Sequence, residues 1–210
     1  MRLVVIGCEY TGKTTLIDAL MAWGDQHGTH FHLDDHFSIP DRQFLSEADA
    51  RAMLEVPPVI KERFQRFQIY YHVHVLQDHP DCLLGGFHIE EAVYGRRYYY
   101  PNEVFPVSYL RRVERQLPAD TILLLLKASP EAVRRRMREA PHQYQIVAPQ
   151  DVEAVSAEFE TEYGLSWIGQ KFTIDTSELR PVELFTAFRE RVVPHLDTRD
   201  LLRWRATGQI

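Results

Sequence analysis

The sequence has few cysteines, no surplus of positive charge and no long hydrophobic run. Its two cysteines, Cys8 and Cys82, cannot build a disulfide framework or a four-thiolate zinc site. The 30 acidic residues outnumber the 24 basic ones, and the net charge of −6 at pH 7 argues against a general nucleic-acid or membrane-surface binder. The longest apolar run, residues 122–126, is far too short for a membrane span, and no signal-peptide pattern opens the sequence. We therefore expect a soluble, cytoplasmic protein.

The chain instead alternates short apolar runs with amphipathic helical stretches. With 210 residues, 45% of them hydrophobic, it can bury the core of one α/β domain. Strands are predicted at residues 3–6, 29–33, 82–84, 121–126 and 171–174, and helices at 14–23, 57–78, 103–117, 130–139, 151–163 and 181–195. Because strands that alternate with helices form parallel sheets, the prediction is a three-layer α/β/α fold with a five-stranded, mostly parallel sheet. We place this domain at residues 1–196, followed by a tail at 197–210.

A glycine-containing motif follows the first predicted strand. It reads Gly7-Cys8-Glu9-Tyr10-Thr11-Gly12-Lys13-Thr14 and fits G-x-x-x-x-G-K-[ST] at every position. The two glycines allow successive N–H groups to turn inward, and the N-terminus of the next helix adds its dipole. The motif and Thr15 thus predict a phosphate-binding loop (P-loop) for a nucleotide such as ATP. Lys13 supplies a cation for the β- and γ-phosphates, and the Thr14 hydroxyl is the candidate ligand for Mg²⁺.

With this loop, the chain resembles the P-loop nucleoside and nucleotide kinases, nearest to thymidylate-kinase-like proteins, over residues 1–195. The resemblance also rests on an aromatic-rich helix before the third strand, the segment 87–95 after it, and two later stretches. These stretches are Arg134-Arg135-Arg136-Met137-Arg138 and Ile174-Asp175-Thr176-Ser177. The resemblance implies the P-loop NTPase fold and Mg²⁺-dependent phosphotransfer from ATP to a small-molecule acceptor, a nucleoside or nucleoside monophosphate.

The chain departs from this family at the end of the third strand. The family has an Asp-Arg pair there, with the Asp implicated in metal and hydroxyl handling and the Arg in gripping the acceptor phosphate. This sequence has Gly85 and Gly86 at the equivalent positions. Glu90 and Glu91, just beyond, are candidates to supply the lost contacts to metal or acceptor. The alternative is that they are simply acidic residues at a helix N-terminus, where they are favourable.

Two further carboxylates, Asp34 and Asp35, directly follow the second predicted strand. Ligands of open α/β sheets bind at the carboxyl ends of the strands, so these carboxylates are predicted to face the site. The stretch also resembles the Asp-Asp-Phe stretch of uridine- and nicotinamide-riboside-kinase-like enzymes. That resemblance implies that Asp34 or Asp35 accepts the proton of the attacking hydroxyl; a solvated acidic turn is the alternative.

The arginine-rich stretch lies near the end of the predicted helix 130–139. A lid arginine that swings over the phosphates would stabilise the charge of the transferring group, so Arg134, Arg136 and Arg138 are candidate catalytic residues. A solvated basic face is the alternative. The proline-flanked segment 140–150 is predicted to be a mobile lid that orders when nucleotide and acceptor bind.

The predicted helix 57–78 carries aromatic and amide side chains at helical spacing. In the family such a helix lines the acceptor pocket, which implies that Phe64, Gln68 and Tyr71 contact the acceptor. Gln68 is the better specificity candidate, because a buried amide needs a hydrogen-bond partner. For most of the aromatic residues, packing in the core is the stronger alternative.

Other functions stay open at this point. A GTP-dependent switch is disfavoured because the sequence has no N-K-x-D base-reading motif. A degenerate kinase that acts as a nucleotide-binding regulatory module, and a kinase for a nucleic-acid 5′ end or another non-nucleotide acceptor, remain as alternatives. The expected partners are a nucleoside triphosphate donor and a small-molecule acceptor, without a membrane or general nucleic-acid binding, and a homodimer is left open.

Overall fold

A five-stranded sheet forms the centre of the structure, a computed structural model described over residues 1–33, 45–100 and 107–208. The strands are β1 (Arg2–Ile6), β2 (His32–Leu33), β3 (Cys82–Gly85), β4 (Thr121–Lys127) and β5 (Gln170–Asp175). They are hydrogen-bonded in the order β2-β3-β1-β4-β5, and each neighbouring pair is parallel. The predicted three-layer α/β fold is confirmed, with a sheet that is parallel throughout.

Helices pack on both faces of this sheet. They are α1 (Lys13–Gln26), α2 (Glu47–Glu55), α3 (Pro58–Asp78), α4 (Phe87–Tyr94), α5 (Val107–Glu114), α6 (Pro130–Glu139), α7 (Val152–Leu165), α8 (Pro181–Val192) and α9 (Thr198–Ala206). A π-helical turn, Gly95–Tyr99, continues α4. Within the described ranges, none of the helices combines the length and the apolar character that crossing a membrane requires.

Alternate side chains of β1 enter two separate hydrophobic cores. Val4 and Ile6 pack with apolar residues of α3 to α7, whereas Leu3 and Val5 pack with those of α1, α8 and α9. Successive side chains of a strand point to opposite faces, so a strand that is apolar throughout must be covered on both sides. The apolar sequence of β1 thereby accounts for the three layers, and it brings the P-loop to the carboxyl edge of the sheet.

Several boundaries differ from the sequence-based expectation. The predicted strand 29–33 reduces to β2, because only two of its described residues, His32 and Leu33, pair with β3. The predicted helix 103–117 is described as α5, and residues 103–106 lie outside the described part. α2 was not predicted; it begins with a capping box in which Ser46 and Asp49 satisfy each other's backbone N–H groups.

The C-terminal stretch, whose packing the sequence leaves undecided, folds back as α9. Trp204 is buried, and its ring stacks on that of Trp23 in α1 with the centroids 4.6 Å apart. Asp200 is buried as well, and its carboxylate pairs with Arg199. α9 therefore completes the core on the α1 side of the sheet.

A buried ion-pair network supports α4. His88 on α4 is fully buried, and its Nε2 lies 3.1 Å from a carboxylate oxygen of Glu114 in α5. The other oxygen of Glu114 accepts hydrogen bonds from Arg111 and from the Trp167 backbone N–H, both at 2.8 Å. Burial favours the neutral acid, but the hydrogen bond and charge of His88 and the other donors outweigh it and lower the pKa of Glu114 to about 2. The network thus fixes the helix that carries Glu90 and Glu91.

This pKa predicts how the stability of the fold depends on pH. Because the folded-state pKa of Glu114 lies below its ordinary value of 4.5, ionised Glu114 stabilises the fold above that pH, and the stabilisation is lost as the pH falls towards 2. In urea titrations at neutral pH we expect Glu114→Gln to lower the free energy of unfolding by on the order of 3 kcal/mol. The difference from the wild type should shrink below about pH 4.5.

The matched control for this prediction is Glu47→Gln, which removes the charge of an exposed glutamate that pairs with Arg51 on α2. Exposed pairs contribute little to stability, so this variant should unfold like the wild type at each pH. A difference between the wild type and Glu114→Gln that stays constant from neutral to acidic pH would contradict the assignment.

Candidate active site

The P-loop joins β1 to α1 through two glycines in the left-handed region. Gly7 has φ +145°, and a Cβ there would lie 2.4 Å from the carbonyl oxygen of Leu126. Gly12 has φ +99° and precedes α1, whose first turn has no side-chain cap. The first N–H groups of a helix have no partner within the helix, so here they point into the loop and suit an anion.

Lys13 lies across this loop. Its Nζ donates a hydrogen bond to the Gly7 carbonyl oxygen at 2.6 Å and lies 3.3 Å from Oε2 of Glu90. Thr14 is exposed and Thr15 is half-buried beside it. The Lys13 ammonium group therefore stands between the P-loop backbone and a carboxylate from α4, where it can neutralise phosphate charge.

The turn from β3 into α4 brings that carboxylate into place. Gly86 has φ +83° and Phe87 has φ +48°, so two successive residues are left-handed. A Cβ at position 86 would lie 2.4 Å from both Cδ and Oε2 of Glu90. The Glu90 carboxylate thus occupies the space that a side chain at position 86 would need, and the glycine is required for this arrangement.

Cys8, Tyr94 and Tyr99 surround the inner side of the loop. The Tyr94 hydroxyl accepts a hydrogen bond from the Glu9 N–H at 2.9 Å. Burial raises the pKa of Tyr94 and of Tyr99, and the Glu90 carboxylate adds to the effect in both. Burial also raises the pKa of the Cys8 thiol to about 11, although Lys13 opposes the shift, so Cys8 is a packed neutral thiol rather than a nucleophile.

Solved structures share this architecture over nearly the whole chain. The YorR protein of Bacillus subtilis, in complex with phosphorylated GDP, has a TM-score of 0.61 at 14% identity and covers 94% of this chain and 99% of its own. The deoxyadenosine kinase of M. mycoides with bound dATP has a TM-score of 0.56 at 12% identity, covering 91% of this chain and 99% of its own. The same enzyme with bound dCTP has a TM-score of 0.52 at 12% identity, covering 91% and 98%.

The chain shares the three-layer α/β/α P-loop NTPase fold of these proteins. The likeness at these identities is one of fold, and the narrower resemblance to thymidylate-kinase-like proteins stays a prediction. No protein-family model matches the chain, and no curated protein matches its sequence.

Within this fold, Phe64 and Tyr71 lie on a face of α3 that is not buried. Phe64 and Tyr71 are 51% and 45% exposed, whereas Gln65 is only 5% exposed and Ile69 is buried in the core. Both aromatic side chains lie outside the core, and their predicted contact with an acceptor stays a prediction. Gln68 is half-buried, and its contact with an acceptor stays a prediction. The buried amide that sequence reasoning missed is Gln65, one helical turn before Ile69.

The three candidate arginines of α6 have different surroundings. Arg134 donates a hydrogen bond to the Pro149 carbonyl oxygen at 2.9 Å and pairs with Glu153. Arg136 donates to the Tyr10 carbonyl oxygen at 2.8 Å and so contacts the P-loop directly. Arg138 is exposed. A catalytic role for any of the three stays a prediction, and Arg136 has the closest connection to the loop.

The carboxylates Asp34 and Asp35 lie outside the described residues. β2 ends at Leu33, immediately before them, on the same edge of the sheet as the P-loop. Their predicted role in orienting an acceptor hydroxyl therefore stays a prediction.

The described residues fit a triphosphate with Mg²⁺. Glu90 Oε2 is buried and pairs with Lys13 but makes no hydrogen bond, so it can still contact a cation or a hydroxyl group. The Thr14 hydroxyl is exposed at the start of α1. Across residues 1–33, 45–100 and 107–208, no cluster of three or more His, Cys, Asp or Glu could hold a metal ion. Mg²⁺ needs no such cluster, since it binds through one or two protein groups, phosphates and several waters.

Proposed function

We propose that the protein transfers the γ-phosphoryl group of ATP to the hydroxyl of a nucleoside or to the phosphate of a nucleoside monophosphate, with nucleosides preferred. The observation that carries this proposal is the juxtaposition of Lys13 and Glu90 beside the P-loop, 3.3 Å apart, with the carboxylate in the space above Gly86. The fold shared with a deoxyadenosine kinase supports the same reaction class. A cytoplasmic location and a homodimer remain predictions.

The P-loop serves the donor side of this reaction. Its inward N–H groups and the start of α1 bind the phosphates, and the Lys13 ammonium group stabilises the negative charge that spreads over the transferring group. Thr14 and Glu90 would hold Mg²⁺, which when bound would neutralise further phosphate charge. In this assignment Glu90 replaces the carboxylate that the family carries at the strand end and that Gly85-Gly86 lacks.

The preference for an acceptor rests on the residues that end β3. Glycines at positions 85 and 86 remove the arginine with which the family grips an acceptor phosphate. A neutral nucleoside hydroxyl needs no such cation, whereas a phosphate dianion loses a charge-assisted hydrogen bond. For this reason we favour nucleosides over nucleoside monophosphates.

Positioning of the acceptor completes the proposed mechanism. Asp34 or Asp35 orients the acceptor hydroxyl and takes its proton as the bond to phosphorus forms, a role that needs little base strength in a loose transition state. Gln68, half-buried on α3, is the candidate to hydrogen-bond a base edge.

The test is ADP formation by the purified protein with ATP and Mg²⁺ against three acceptor sets. These sets are nucleosides, nucleoside monophosphates and oligonucleotides with a 5′-hydroxyl. We expect turnover with at least one nucleoside, and a kcat/KM at least about tenfold higher than for its monophosphate, because the lost ion pair with the acceptor phosphate is worth a kcal/mol or more.

Other outcomes of this assay would identify one of the alternative functions. Turnover of oligonucleotides alone would make the protein a nucleic-acid 5′-end kinase. ATP binding without turnover of any acceptor would favour a degenerate kinase with a regulatory role and would overturn the proposal.

A further inference from the structure

The segment 140–150 contacts Glu9, a residue of the P-loop that lies between its two glycines. One carboxylate oxygen of Glu9 accepts hydrogen bonds from two successive backbone N–H groups, those of Ile146 at 3.0 Å and Val147 at 2.7 Å. The other oxygen lies 3.7 Å from Nδ1 of His142. Hydrogen bonds to an ionised acceptor are among the stronger ones in proteins, so these contacts fasten the segment to the loop.

The neighbouring residue, Tyr10, is held by the same segment. Its hydroxyl accepts a hydrogen bond from the His142 backbone N–H at 2.8 Å and donates one to Oε1 of Gln145 at 2.9 Å. Its ring stacks on the His142 ring with the centroids 3.9 Å apart and the planes inclined by 12°. Ring and hydroxyl of Tyr10 thus both bind the segment.

The backbone of Tyr10 is strained and is held from the opposite side. Its φ of +65° is left-handed, a conformation that a residue with a large side chain seldom adopts without support from its surroundings. The Tyr10 carbonyl oxygen accepts a hydrogen bond from Arg136, which also donates to Thr176 Oγ1 at 3.1 Å. Thr176 in turn donates to the Thr11 carbonyl oxygen at 2.9 Å. The contacts on side chain and carbonyl together determine this backbone conformation.

The geometry points to a fixed clasp, formed by His142, Gln145, Ile146 and Val147 on Glu9 and Tyr10, that holds the P-loop in its phosphate-binding conformation. Glu9 and Tyr10 are then positioning residues: they touch the segment and set the direction of the loop's N–H groups. The clasp rests on one part of the proposed function, namely that the P-loop binds phosphates. It differs from the mobile lid predicted from sequence, which would become ordered only when nucleotide and acceptor bind.

The clasp and the mobile lid predict opposite hydrogen-exchange behaviour for residues 142–147. We expect the Ile146 and Val147 amides of the full-length protein to exchange slowly without ligand, and to change less than about threefold when inorganic tripolyphosphate is added. Glu9→Ala should accelerate these two amides at least about tenfold, because it removes their acceptor.

Polyphosphate affinity is the second measurement. Glu9→Ala and Tyr10→Gly should each weaken tripolyphosphate binding by about tenfold in calorimetric titrations, since the loop must then be ordered on binding. Glycine adopts φ +65° without strain, so a loss of affinity in Tyr10→Gly reports the missing clasp and not backbone strain. The control is Lys171→Met, which removes the lysine that anchors the turn after α7 at Tyr163 and Ser166, at the far end of β5.

Lys171→Met should leave both the amide exchange rates and the tripolyphosphate affinity unchanged. The melting temperatures of all variants show whether a loss of affinity or of amide protection is caused by unfolding. The clasp is overturned if the wild-type amides exchange rapidly and become protected only with tripolyphosphate. It is also overturned if both P-loop variants bind tripolyphosphate as the wild type does. Slow exchange in a wild type that binds no polyphosphate would instead count against the proposed function and against the phosphate-binding half of the clasp.

Discussion

Replacing Lys13 by alanine is expected to reduce phosphotransfer to below about a thousandth of the wild-type rate while the protein stays folded. The Lys13 ammonium group lies 2.6 Å from the Gly7 carbonyl oxygen and 3.3 Å from Glu90, so it is the described cation positioned beside both the loop and the buried carboxylate. Its loss leaves the charge of the transferring group uncompensated. A coupled assay of ADP release with the best nucleoside acceptor measures the effect.

The matched control is Lys127→Ala. Lys127 ends β4 at the same edge of the sheet and, like Lys13, pairs with a glutamate, here Glu160 at 2.8 Å. Its side chain is 40% exposed and takes no part in the proposed mechanism, so this variant should keep nearly full activity. Wild-type turnover by a folded Lys13→Ala protein would refute the role of this lysine.

Glu90→Gln is expected to lower kcat by about 10²-fold or more, because it keeps the shape of the side chain and removes its charge. If Glu90 is the carboxylate on the metal side, a second effect distinguishes it from a general loss of activity. Mg²⁺ should no longer tighten ATP binding in the variant, whereas ATP binding measured with a chelator present should equal that of the wild type. Calorimetric titration in the two conditions separates these quantities.

Two further variants sharpen this test. Gly86→Ala should impair activity as well, since a Cβ there would lie 2.4 Å from the Glu90 carboxylate and displace it. Glu160→Gln, which removes the charge of an exposed glutamate near the same edge, is the control and should leave kcat unchanged. If Glu90→Gln keeps a near wild-type kcat and the same response of ATP binding to Mg²⁺, then Glu90 does not replace the carboxylate that is missing at Gly85-Gly86.

The P-loop and its two flanking elements could be predicted from sequence because their determinants are local. An apolar strand, two glycines at fixed spacing, a lysine and an amphipathic helix are all contained in residues 2–26, and the structure places β1 and α1 accordingly. The alternation of apolar and helical segments likewise predicted the parallel sheet. In each of these cases neighbouring residues along the chain determine the structure.

The placement of Glu90 could be anticipated only in part. Sequence reasoning proposed Glu90 or Glu91 as the replacement for the missing carboxylate, but it could not choose between them. The choice depends on two successive left-handed residues, Gly86 and Phe87, and a non-glycine residue with positive φ has no sequence signal of its own. Similarly, the buried residues of α3 include Gln65 and His72 beside Ile69 and Val73, a mixture that the spacing of apolar residues along the helix does not predict.

The contacts of residues 142–147 with the P-loop could not be predicted for a different reason. They join Glu9 and Tyr10 to residues more than 130 positions later in the chain, and no periodicity or spacing relates the two segments. From sequence, a proline-flanked loop beside an arginine-rich helix therefore suggested a lid. The structure shows that the same loop also carries the backbone N–H groups that bind Glu9.

The fate of the γ-phosphate of ATP is the most direct test of the proposed phosphotransfer. The protein would be incubated with Mg²⁺, ATP labelled at the γ-phosphate and each nucleoside in turn, and the labelled products separated. We expect label in a nucleoside monophosphate, formed in equal amount to ADP. With Lys13→Ala neither product should rise above background, and with Glu90→Gln each should stay below about 1% of the wild-type amount. Label found only in inorganic phosphate, or equal transfer by the wild type and both variants, would contradict the proposed phosphotransfer.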